Sequence, residues 1–81
     1  MKRAENQHLN YQRFISIDPE IRFGRPCVHG TRISVYDVLG WLSIGMSVEE
    51  TMEDFPELTR EQIMACLQYA SERERRVTVA A

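Results

Sequence analysis

The sequence predicts a mainly α-helical domain, three helices with a helix-turn-helix outline preceded by short β-strands. Three observations carry this. Two capping signatures, Ser47 with Glu50 and Thr59 with Gln62, each place a hydroxyl where it can accept from the N3 backbone N–H while the N3 side chain reaches back to the cap. Between them, Asp54-Phe55-Pro56-Glu57-Leu58 breaks the helix, because Pro56 disfavours helical backbone at Phe55 and has no N–H to donate. Finally, apolar residues recur at helical spacing upstream, at Val35, Val38, Leu39 and Leu42, and downstream, at Ile63, Cys66, Leu67 and Ala70.

In chain order, residues 1–12 are polar and without period, which predicts a flexible arm. A single domain is expected over 13–76, with a tail over 77–81. Phe14-Ile15-Ser16-Ile17 is β-prone and ends at the turn signal Asp18-Pro19; Glu20 to Phe23 follow, and Gly24-Arg25-Pro26 breaks regular structure again. Cys27-Val28 and Arg32-Ile33 flank His29-Gly30-Thr31, the pattern of a small hairpin or a pair of extended strands. Ser34 with Asp37 forms a third capping pair and opens a helix from about Val35 to Ile44, with Trp41 at the edge of its apolar stripe and Gly45 at a left-handed C′ position. The second helix, about Val48 to Asp54, sets Val48, Met52 and Phe55 on one side and Glu49, Glu50 and Glu53 on the other. The third starts at Arg60, has Met64 beside its buried stripe and ends in a charged stretch from Ser71 to Arg76, after which Val77-Thr78-Val79 reads as an extended end.

Composition narrows the function classes. With 81 residues there is room for one small core, which a partner or a second copy would support. No apolar run approaches the roughly 18 residues a membrane span needs, and Met1 to Asn10 lack the apolar segment of a secretory signal, so the expected location is cytoplasmic. The net charge of −2 and a pI of about 5.6 lack the basic field of a dedicated nucleic-acid binder. Cys27 and Cys66 stand far apart and read as reduced small hydrophobes. Cys27 and His29 cannot make a metal site without further ligands, and no serine sits in a nucleophile-elbow context. Neither a metal, a cofactor nor catalysis is expected.

Two candidate surfaces remain. As a DNA-recognition helix, the third helix would present Arg60, Glu61, Gln62, Gln68, Tyr69 and Glu72, with Thr59 holding a phosphate. Its glutamates, and those of the second helix, would face a polyanion, so spacing alone favours a structural helical fold over base readout. The other surface is the glycine- and arginine-bearing approach from Arg22 through Arg25 to Arg32, whose guanidinium groups suit carboxylates or phosphates, with the Arg73-Glu74-Arg75-Arg76 tail as the best basic patch elsewhere.

Ile17-Asp18-Pro19-Glu20-Ile21, Gly24-Arg25-Pro26-Cys27-Val28-His29-Gly30-Thr31-Arg32-Ile33 and Asp54-Phe55-Pro56-Glu57-Leu58-Thr59 together resemble the bacterial family called domain of unknown function 433, over about Phe14 to Arg75. The resemblance implies a small homeodomain-like helix-turn-helix fold preceded by short strands. It also implies an antitoxin encoded beside a PIN-like nuclease toxin, in arrangements similar to VapBC pairs. On that expectation Arg22, Arg25, Arg32, Arg73, Arg75 and Arg76 are the candidates to engage the nuclease's metal-binding carboxylates. Thr59, Arg60, Gln62, Gln68 and Tyr69 are the candidates to bind operator DNA from a homodimer. The alternatives are a stand-alone DNA-binding regulator and a pure dimerisation module.

Overall fold

Reciprocal side-chain caps begin each of the three helices. Ser34 accepts from Asp37 N–H at 2.9 Å while the Asp37 carboxylate accepts from Ser34 N–H at 3.1 Å, opening α1 (Val35–Ser43). Ser47 and Glu50 do the same for α2 (Val48–Asp54), and Thr59 and Gln62 for α3 (Arg60–Ala80). This computed structural model describes the backbone of residues 10–80 and the side chains of residues 10–75. At two of the helix starts an apolar pair adds to the cap. Ile33 precedes Ser34 and Val38 sits at N4; Leu58 precedes Thr59 and Ile63 sits at N4; Val38, Leu58 and Ile63 belong to one buried cluster and Ile33 packs against it.

α1 ends as its glycine requires. Gly45 has φ +105°, its N–H bonds Leu42 C=O at 3.1 Å, and Met46 N–H reaches Trp41 C=O at 3.2 Å, the paired bonds of a Schellman motif. An added Cβ at Gly45 would meet nothing within 4 Å, so only the backbone conformation resists substitution. Gly45→Ala is therefore expected to cost about 1 kcal/mol, read as a fall of roughly 4–8 °C in the thermal midpoint.

Ahead of the helices, β1 (Ile15–Ser16) pairs antiparallel with β2 (Cys27–Val28), with Ile15 opposite Val28 and Ser16 opposite Cys27. The hairpin expected around His29-Gly30-Thr31 exists in minimal form: Thr31 N–H closes on Val28 C=O at 3.0 Å, Val28 N–H takes Ile33 C=O at 2.9 Å, and Cys27 bridges to Ser34. Gly30, third in that turn, has the φ of +83° that a type II turn demands. β2 thereby lies over the helices and contributes Val28, fully buried, to the core of Val35, Val38, Leu58, Ile63 and Cys66. Trp41 stacks on Phe55 with ring centroids 4.0 Å apart, tying α1 to the end of α2. Both cysteines are free and buried, and burial pushes the Cys66 thiol up to about 12, so it packs as an inert hydrophobe.

Three expectations need correction. Helical spacing places Leu67 on the buried face of α3, yet it is 38% exposed. At about 100° per residue, the covered arc runs through Ala65, Tyr69, Cys66, Ala70 and Ile63, and Leu67 falls just past its edge. The arc is rotated because the 3₁₀ turn Tyr11–Arg13 covers the Tyr69 side of α3, with Tyr11 meeting Tyr69 edge-on at 6.1 Å. For the same reason the arm read over 1–12 is shorter at its inner end, since Tyr11 and Gln12 belong to this turn; residues 1–9 lie outside the described residues. Val77-Thr78-Val79 is not extended, because the α3 backbone stays helical through Ala80. Once a helix is nucleated, adding residues is cheap, and this outweighs the local β preference of valine and threonine.

Candidate functional site

The approach segment turns on a feature with no local signal. Arg22, Phe23 and Gly24 have φ of +52°, +57° and +83°, three left-handed residues in a row, of which only the glycine adopts this freely. A tertiary clamp holds them. One guanidinium nitrogen of Arg22 donates to Arg32 C=O at 2.8 Å and to the Asp37 carboxylate at 3.0 Å. Asp37 thus serves Ser34 and Arg22 together. Its partial burial pushes its pKa up, but the Ser34 N–H, the Arg22 guanidinium and the Ser34 hydroxyl outweigh that and leave it below the ordinary 3.8. Arg22 is therefore an internal staple rather than a side chain held out to a partner.

The remaining approach arginines point outward from a fixed frame. Thr31 Oγ1 donates to Val28 C=O and accepts from Ile33 N–H, both at 2.9 Å, and the Arg22 bond fixes Arg32's carbonyl. Arg25 and Arg32 are both exposed. Arg25 lies over the Tyr36 ring at 5.4 Å. Across from it, Arg73 on α3 lies over Tyr69 at 5.8 Å, and the two arginines border one groove of about 580 Å³ between the approach segment, α1 and α3. Two candidates far apart in sequence are thus brought together. Arg75 instead sits 3.8 Å from Glu72 along its own helix, and the side chain of Arg76 lies outside the described residues.

The residues nominated for DNA are differently placed. Thr59 and Gln62 satisfy each other in the α3 cap, with Thr59 N–H to Gln62 Oε1 at 2.8 Å and Gln62 N–H to Thr59 Oγ1 at 3.2 Å. Arg60 pairs with Glu49, which holds the Glu49 carboxyl below its usual range. Tyr69 packs against the core instead of facing out, and Gln68 turns its Oε1 into a buried position with no hydrogen-bond partner among the described residues. Leading into this helix, residues 48–61 carry Glu49, Glu50, Glu53, Asp54, Glu57 and Glu61 against one basic residue, Arg60, so the stretch is strongly acidic. Among the described residues there is no cluster of three metal-binding side chains, and no helix is long and apolar enough to cross a membrane.

Comparison with known proteins agrees with this architecture. A solved structure of a DUF433 member protein from Anabaena variabilis has a similar fold, with a TM-score of 0.72 over 99% of this chain and 83% of that one, at 24% identity. An uncharacterised protein, y4eO, of Sinorhizobium fredii is 41% identical over 56 residues, which is 69% of this chain. The matched part spans only a quarter of that relative's length. Residues 15–70 match the family described as Protein of unknown function (DUF433), a span that holds both strands, α1, α2, the first half of α3 and the whole Arg22–Arg32 approach, and the chain belongs to that family.

Proposed function

We propose that the chain is a protein-binding module acting as the antitoxin of a type II toxin–antitoxin pair, whose target is a PIN-like ribonuclease. The observation that supports this reading most is the fixed display of Arg25 and Arg32 on either side of a hydrogen-bonded turn, with both side chains exposed. A nuclease that holds its metal with clustered carboxylates offers what a guanidinium pairs with bidentately, and occupying those carboxylates denies the site to metal and RNA. Preorganisation matters here, because an arginine on a rigid turn loses less freedom on binding than one on a loose loop.

Operator binding, and the stand-alone DNA regulator as an alternative, draw less support. The hydroxyl and amide meant to read DNA cap a helix instead, and a strongly acidic stretch leads into α3. Copurification with the PIN-like nuclease from the adjacent gene, followed by a ribonuclease assay, tests the reading. Wild-type protein should silence the nuclease stoichiometrically, and the Arg25→Glu/Arg32→Glu variant should weaken inhibition by about 100-fold or more, since each lost buried charge pair costs about 2 kcal/mol or more. Equal inhibition by the variant would exclude the turn, and a steeply salt-dependent specific duplex complex without any nuclease would favour the regulator.

A further inference from the structure

Phe23 is 100% exposed. A phenylalanine wholly in water, on backbone that is itself unfavourable at φ +57°, is an odd thing for a chain of this size to maintain. The Arg22 clamp to Arg32 and Asp37 does not release it; it holds the ring out. Two residues further on, Arg25 and Pro26 begin the groove between α1 and α3, whose apolar lining comes from Tyr36, Leu39 and Ala70. A projecting ring therefore stands two residues along the chain from the edge of a recess of suitable character. The ring does not fill that recess within the protomer, since it is fully exposed among the described residues.

We infer that the chain pairs with a second copy of itself, each protomer inserting Phe23 into the partner's groove about a two-fold axis. Two-fold pairing uses the same patch on both copies, and a prong next to its own socket is the arrangement that allows reciprocal exchange. Charge agrees with a second copy as the occupant. The loop that carries Phe23 also carries Asp18 and Glu20, its Arg22 being tied to Asp37, and the groove it would enter is bordered by Arg25 and Arg73 against one carboxylate, Glu74. Each inserted ring thus brings carboxylates to an arginine rim. Ile17, 62% exposed at the stem of the same loop, and Tyr36, 71% exposed on the groove wall, would be covered by the same contact. Of the two arginines offered to the nuclease, Arg25 borders this groove and Arg32 does not, and the pairing is tested with no nuclease present.

Sedimentation equilibrium of the full chain tests this. Wild type should sediment at twice the chain mass. Phe23→Ala, which removes no contact within the protomer and so leaves the circular dichroism spectrum unchanged, should weaken dimerisation by about 30-fold or more, as loss of a central aromatic anchor does. Glu20→Arg alone and Arg73→Glu alone should each weaken it, and an equimolar mixture of the two should restore it, since every loop then faces a groove of opposite charge. A monomeric wild type, as when residues 1–9 of the same chain fill the groove, overturns the inference. So does a dimer indifferent to Phe23→Ala, or a mixture that fails to recover.

Discussion

Ile63→Ala is expected to destabilise the protein by about 2–5 kcal/mol, the range for emptying a fully buried isoleucine site. Ile63 is 0% exposed and joins Val28 from the strands, Val38 from α1 and Leu58 from the turn before α3 in one cluster. The surroundings are fixed by β2 and two helix caps, so the site resists collapsing to fill the void. An 81-residue domain has roughly 4–12 kcal/mol of total stability at typical per-residue values, so this single change removes a large part of it. Urea unfolding should show a lower midpoint with an unchanged slope. Leu67→Ala is the control: at 38% exposure it should cost less than about 1 kcal/mol. Equal losses at the two sites would mean that α3 is not rotated as described.

Asp37→Ala should cost about 2 kcal/mol, more than an ordinary cap, because it orphans two donors at once. Ser34, 0% exposed, loses the acceptor for its N–H, and Arg22 loses the carboxylate that helps hold the left-handed turn. The same loss should appear on acidification. Since Asp37 in the fold lies below its ordinary 3.8, the unfolded chain takes up a proton there first. Its contribution is complete above about pH 5, declines as pH falls toward and below 3.8, and is gone once pH passes the lowered folded value. The difference between wild-type and Asp37→Asn unfolding free energies, followed from pH 6 to pH 2, should therefore be flat down to about pH 5 and then shrink. A difference that stays constant to the acid end would mean that Asp37 titrates normally.

The parts of the fold that could be read in the sequence are those fixed by near neighbours. Three caps each join residues only three apart, Gly45 follows the last turn of α1, and Pro56 acts on Phe55 directly, so each carries its cause with it. The parts that could not be read depend on distant groups. Arg22 looks like any other arginine until Asp37 and Arg32 close on it, and only then can a phenylalanine be held at positive φ. Tyr69 and Leu67 exchange places between core and surface because of where the Tyr11 turn lands, which helical spacing alone does not specify. Leu58 was legible in hindsight, as the apolar residue before a cap with another at N4, a staple the spacing already contained.

We propose that the partner engages the arginine-bearing approach and not the exposed face of α3. Hydrogen exchange of the free chain against its complex with the PIN-like nuclease tests it most directly. Slowed exchange over residues 24–33, with 60–67 unchanged, is the predicted pattern. Protection confined to the first turns of α3 would contradict it.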